Sequence, residues 1–183
     1  YNFILRSYHN PSQILSKWNF TKPGHPRHVL RSLGVTMVEG VFYATNWYDD
    51  RSTQLDTGIY KMWIEGKDLR YDILTTKVGG NNISFRNGLF YLTSESDNLL
   101  KVLTLSGQLV RTFTLPDSGD DHYRGCTWMD DSLLVSSSDT RSVLVMNERV
   151  ELEQKIDMSS YLHHPDNHLP YGLWHAPAAS PSP

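Results

Sequence analysis

Histidines and carboxylates stand shortly before two glycines, each of which begins an apolar run. Asp121 and His122 precede Gly125, and His168 precedes Gly172. Neutral imidazole nitrogens and carboxylate oxygens are ligands that Zn²⁺ prefers in proteins, and carboxylates also suit Ca²⁺. If the two glycine entries lie together in the fold, His122, His168 and Asp121 are therefore candidates for a divalent metal site.

The same positions carry side chains that are suited to binding a macromolecule. Arginine forms several hydrogen bonds through its planar fork, and tyrosine offers a large contact area at low entropic cost. A polar loop after another apolar run adds two adjacent aromatic residues, and loops on a rigid scaffold often carry specificity. The predicted binding residues are Asn81, His122, Arg124, Tyr171, Trp47 and Tyr48.

A simpler interpretation is that these residues belong to hydrophilic connections whose histidines are hydrated. His122 and His168 stand at different distances from their glycines, whereas a metal site needs ligands at matching positions. We therefore favour binding loops over metal ligands and expect no cofactor. A divalent metal at the point where the entries meet remains the alternative.

The elements that must position these residues recur along the chain. Three stretches align with one another, and a fourth copy begins and then stops. The interval is roughly 45 residues, which is typical of β-propeller blades. Each copy contains four strand patterns separated by polar turns, which predicts a four-stranded antiparallel sheet. The aligned stretches are residues 33–45, 81–93 and 124–136, and the register residues are Gly34, Asn82, Gly125 and Gly172.

The repeat predicts an all-β protein, a β-propeller of four-stranded antiparallel blades that is a fragment of a larger ring or an incomplete one. In a propeller, the innermost strands begin at one mouth of a central channel, so the polar entries should converge there. The predicted units are a partial blade over 1–27, complete blades over 28–74, 75–120 and 121–160, the start of another over 168–176, and a Pro/Ser/Ala-rich tail over 177–183.

Composition limits the choice of partner and compartment. The net charge is −3, so bulk electrostatics do not favour nucleic acid. No apolar run approaches about 18 residues, so we expect no insertion into a membrane. Cys126 is the single cysteine, which excludes an internal disulfide and predicts a buried, inert thiol. No signal peptide is visible, and the sequence favours a cytoplasmic location, with an extracellular one as the alternative.

Two repeats resemble those of known propeller families. Residues 87–93, 98–103 and 106–113 resemble an NHL repeat, as found in TRIM-type ubiquitin ligases. Residues 41–45, 59–62 and 66–70 are also similar to the YWTD repeat of lipoprotein-receptor propellers. Both resemblances imply a propeller fold, and together they cover nearly the whole chain.

The NHL resemblance implies a non-catalytic platform that recognises a protein, or an RNA, through the loops at one mouth of the channel. Two alternatives remain open. Lactonase-like and lyase-like propellers hold a metal or a catalytic histidine at this mouth, which would make the chain a metal-dependent enzyme. The YWTD resemblance instead implies an extracellular receptor propeller. We favour binding over catalysis because, of the residues at the entries, only Asn81 and Asn82 match a lactonase-like site.

Overall fold

The computed structural model of the chain describes residues 2–6, 12–19, 21–22, 25–29, 32–46, 58–76, 78, 80–93, 98–116, 123–137 and 140–161. Nearly all of these residues lie in antiparallel strands or tight turns. The helical content of the described part is the 3-10 turn Ser159–Tyr161. None of its helical structure is long and apolar enough to cross a membrane.

Three sheets have four strands each, and in each sheet the strands follow one another in chain order. The three four-stranded antiparallel sheets in a nearly all-β structure confirm the predicted fold class. The sheets are β5 (Ser32–Val38), β6 (Val41–Asn46), β7 (Gly58–Glu65) and β8 (Asp68–Thr75); β9 (Asn82–Arg86), β10 (Leu89–Thr93), β11 (Leu99–Thr104) and β12 (Leu109–Thr114); and β13 (Tyr123–Met129), β14 (Ser132–Ser137), β15 (Ser142–Met146) and β16 (Leu152–Asp157).

Two smaller sheets precede them. β1 (Asn2–Arg6) pairs with β2 (Ile14–Asn19), as the sequence predicts for a partial blade. A second pair, β3 (Thr21–Lys22) with β4 (His25–Val29), was not predicted. Pro26 lies inside β4, and proline lacks the N–H that a sheet ladder uses. Proline is thus a local signal against a strand here, and the sequence analysis predicts none at this place.

The inner hairpins close through the turns that the sequence predicts. Glu39 and Gly40 have φ values of 50° and 79°, and Asn87 and Gly88 have the same pair of values. Left-handed dihedrals at both central residues define a type I′ turn, whose twist matches that of the flanking strands. These turns bring the second strand of each blade back along the first.

The apolar core lies between neighbouring sheets. β9 contacts both β5 and β13, so the inner strands of the three blades lie side by side. Between the first two sheets, Phe90 is completely buried, with its ring centroid 4.7 Å from that of Tyr43 and 5.5 Å from that of Phe85. Between the second and third sheets, Tyr91 meets Trp128 edge to face at 5.0 Å.

Arg86 joins the second and third sheets at the end where the inner strands finish. Its guanidinium contacts the carboxylates of Asp131 at 2.6 Å and Glu148 at 2.9 Å, and it also donates to the Asp130 carbonyl. The same group lies 4.5 Å from the centroid of the Trp128 ring. A planar cation suits this combination, because it can bond at its edge and stack on its face. Arg86 therefore links the inner hairpin turns of adjacent blades.

Candidate functional site

The starts of β5, β9 and β13 form the described part of the predicted channel mouth. A Cβ added to Gly34 would lie 2.6 Å from the Asn82 Cα and 2.9 Å from the Ile83 amide nitrogen. The backbones of β5 and β9 are thus in direct contact at two of the register positions. Only glycine permits this approach, which is why the repeat begins with it in the first blade.

Two hydroxyl groups hold these strand starts to the second strands of their own blades. The Gly34 N–H donates to Thr45 Oγ1 at 3.1 Å, and the Gly125 N–H donates to Ser136 Oγ at 2.9 Å. The residues are eleven apart in both pairs. Thr45 Oγ1 also lies 3.5 Å from the Asn81 carbonyl oxygen, so it connects the first blade to the second.

Sequence reasoning missed these hydroxyl residues, although the repeat contained a signal for them. Thr45, Thr93 and Ser136 stand at one place in the three aligned copies, and all three are buried. A buried hydroxyl recurring at a fixed offset from a buried backbone N–H indicates a partner for that N–H, because buried donors are almost always paired. Of the three, Thr45 and Ser136 accept such a hydrogen bond and so hold the starts of β5 and β13 to the second strands of their blades.

Two of the predicted binding residues lie in the described part of the chain. Asn81 is 3% exposed, and its N–H donates to the Thr93 carbonyl at 2.6 Å. Asn81 is thus suited to positioning the start of β9 more than to direct contact. Arg124 is half-buried near the start of β13, beside Gly125. The structure thus brings both residues to strand starts at the same end of the molecule.

The remaining predicted site residues lie outside the described residues. For binding these are His122, Tyr171, Trp47 and Tyr48, and for the metal site they are His122, His168 and Asp121. In sequence, His122 directly precedes β13, and Trp47 directly follows β6. Within the described ranges, no group of three or more His, Cys, Asp or Glu side chains is arranged to hold a metal ion.

Cys126 directly follows Gly125, whose N–H donates to Ser136. It lies in the contact between the second and third blades. Its side chain is buried, and the Sγ atom lies 3.3 Å from the Tyr91 carbonyl oxygen. Burial raises the pKa of the thiol to about 12, and hydrogen bonds with Thr93 and Ser84 offset only part of that effect. The thiol is protonated at neutral pH and unsuited to act as a nucleophile.

We expect Cys126 to resist thiol reagents in the folded protein. At about pH 8, an aromatic disulfide reagent should leave native protein unlabelled and should label one thiol per chain in urea. The folded thiol releases its proton near pH 12 and the unfolded thiol near pH 9, so this residue's contribution to stability should decline as the pH rises through that interval. A Cys126→Ala variant supplies the blank, and rapid labelling in native buffer would contradict the buried geometry.

The strand order, the inner-strand contacts and the interblade core define the class of this protein as a β-propeller. No protein-family model matches the chain, and no curated protein sequence matches it. Among solved structures, virginiamycin B lyase from Staphylococcus aureus is similar, with a TM-score of 0.54 at 15% identity over 79% of this chain and 46% of the lyase. A streptogramin B lyase structure is also similar, with a TM-score of 0.51 at 14% identity over 78% of this chain and 44% of that chain.

These likenesses support the propeller fold and no particular activity, since folds of this kind host many functions. The chain spans less than half the length of each lyase. The similar structures also include a nidogen/laminin complex, at a TM-score of 0.48 and 19% identity over 64% of this chain and 43% of that one, which is too weak a likeness to add to the argument.

Proposed function

We propose that this propeller is a non-catalytic platform that binds a protein partner at the end where β5, β9 and β13 begin. The observation that carries the proposal is the half-buried Arg124, which lies on a strand start that the Ser136 hydroxyl holds to its own blade. A fixed backbone reduces the entropy lost on binding, and a partly desolvated arginine is a frequent centre of binding energy. The resemblance to NHL repeats supports the same function.

A protein is the favoured partner over RNA because of charge. The chain carries a net charge of −3, whereas a nucleic-acid surface requires a cluster of cations to neutralise phosphates. Arg124 is the single cation among the described residues at these strand starts. This composition suits a peptide backbone with a carboxylate more than a polyphosphate chain.

A peptide selection tests this function directly. Displayed random peptides are first depleted on an Arg124→Glu variant and then selected on the unmodified protein. For the selected peptides, Arg124→Ala should lower the affinity about 30-fold, the change expected when a central interface residue loses roughly 2 kcal/mol. Lys155→Ala, on the exposed outer strand β16, should leave the affinity unchanged.

Three outcomes would contradict the proposal. No peptide survives depletion, Arg124→Ala leaves the affinity unchanged while the urea midpoint is also unchanged, or a random RNA pool binds with a steep salt dependence. Elemental analysis of protein purified without a histidine tag adds a further check. Stoichiometric zinc that is lost in a His122→Ala variant would favour the metal-dependent enzyme instead.

A further inference from the structure

β12 is the outermost strand of the middle sheet. It pairs with β11 on one side, and no strand among the described residues pairs with its other side. An edge strand presents a row of backbone N–H and C=O groups to which another extended chain can bond. Because β12 lies on the rim of the propeller, it stays at the edge of its blade whatever number of blades completes the ring.

The other two rim strands carry alternating charges that discourage such pairing. β8 has Asp68, Arg70 and Asp72 at every second position. β16 repeats the pattern with Glu153 and Lys155, followed by an aspartate. Charged side chains on edge strands are a common protection against the addition of another strand.

β12 lacks this protection. Arg111 is its single charged residue, while Leu109 and Val110 are 51% and 57% exposed. A register shift of the ladder opposite Val102 and Leu103 lies near Val110, but the strand continues to pair regularly from Arg111 to Thr114. An exposed strand of this length with aliphatic residues at its start is suited to receive an extended segment.

A groove runs beside the start of β12. Its volume is about 660 Å³, and it lies between the end of β8 and the turn that leads into β12. Leu74 and Val78 line one wall, and Gly107 and Leu109 line the other. A Cβ at Gly107 would approach Leu74 Cγ to 3.1 Å, so glycine allows the two blades to meet at the base. The groove can receive an aliphatic side chain from a strand added to β12.

β11 and β12 themselves carry two positively charged residues and no negatively charged one. Residues 98–116, which contain β11 and β12, include Lys101 and Arg111 and no aspartate or glutamate. The Arg111 guanidinium carbon lies 5.6 Å from the centroid of the Phe113 ring, which holds the cation close to the strand. An acidic segment would therefore be attracted to this rim strand and repelled by the net negative charge of β8 and β16.

We propose that β12 and the adjoining groove bind an extended, acidic segment of a partner protein, which adds a fifth strand to the middle sheet. Backbone hydrogen bonds along β12 supply affinity, and an aliphatic side chain in the groove beside Leu109 supplies specificity. This surface is separate from the starts of β5, β9 and β13, where the proposed platform binds its partner. The two surfaces lie on adjacent blades, one at the strand starts around Arg124 and the other at the rim strand β12.

The test uses fluorescein-labelled synthetic peptides in which glutamate alternates with valine, leucine or phenylalanine, and matched peptides in which lysine replaces glutamate. Fluorescence polarisation measures affinity, and amide hydrogen exchange locates the bound peptide. We expect the glutamate peptides to bind more tightly than the lysine peptides and to protect amides within residues 109–114. Arg111→Glu should lower the affinity of the glutamate peptides about tenfold, because it replaces an attractive charge beside them with a repulsive one.

Lys155→Glu is the matched control, since it makes the same charge reversal on another rim strand and should leave the affinity unchanged. Leu109→Asp changes an exposed residue and should also weaken binding if the groove takes an aliphatic side chain. The proposal is overturned if no peptide of the panel protects β12, if the lysine peptides bind equally well, or if Lys155→Glu weakens binding as much as Arg111→Glu. Unchanged urea midpoints for the variants separate loss of binding from loss of folding.

Discussion

Phe90→Ala should lower the free energy of unfolding by about 4 kcal/mol, within the range seen when a buried phenylalanine is truncated. Phe90 is completely buried on β10. Its ring contacts that of Tyr43, on β6 of the first sheet, and that of Phe85, on the neighbouring strand β9. Removal of the ring abolishes both aromatic contacts and leaves a cavity between the first two blades. Urea denaturation followed by tryptophan fluorescence measures the loss.

Val110→Ala is the control for this prediction. It removes aliphatic atoms from a strand of the same sheet, but Val110 is 57% exposed, so stability should change by less than about 0.5 kcal/mol. A loss for Phe90→Ala no greater than that of the control would mean that the first two blades do not pack against each other. Because domains of this size unfold with about 5–15 kcal/mol, the predicted loss is a large share of the total.

Gly34→Ala should cost about 3 kcal/mol, although it adds only one methyl group. The new Cβ would lie 2.6 Å from the Asn82 Cα and 2.9 Å from the Ile83 nitrogen, and these backbone atoms cannot move aside as the end of a flexible side chain could. The start of β5 would have to separate from β9, which also disturbs the hydrogen bond from the Gly34 N–H to Thr45. Thermal and urea unfolding both report the loss.

Gly40→Asn tests whether the effect comes from the close approach of strands. Gly40 has a φ of 79° and nothing within 4 Å of an added Cβ, and asparagine tolerates the left-handed conformation. This change should cost less than about 1 kcal/mol. Equal losses at Gly34 and Gly40 would show that the backbone contact between β5 and β9 is absent in solution.

The blades could be predicted from sequence because their signals are local. Turn pairs such as Asn87-Gly88 require left-handed dihedrals within two residues, and alternating apolar residues on either side define each strand. The same reasoning failed at β3 and β4, where Pro26 gives a local signal against a strand that pairing with β3 overrides.

The candidate site depended on contacts that the repeat alone does not specify. The sequence places Asn81 and Arg124 at strand starts because of their positions in the repeat. The structure shows that Asn81 is 3% exposed and so suited to positioning, while Arg124 remains partly accessible. The recurring Thr45 and Ser136 were present in the aligned copies, yet their role appears only when each hydroxyl is seen to accept a hydrogen bond from a strand start.

The sequence by itself determines the strands, the turns and the number of repeats, since each depends on dihedral preferences and on the alternation of residues a few positions apart. Tertiary structure alone decides that Arg86 meets Asp131 and Glu148 of the next blade, and that the exposed β12 edge lies beside a groove formed with β8. These contacts join residues from different blades, and their energies depend on distance and burial between the packed blades, quantities that no local pattern encodes.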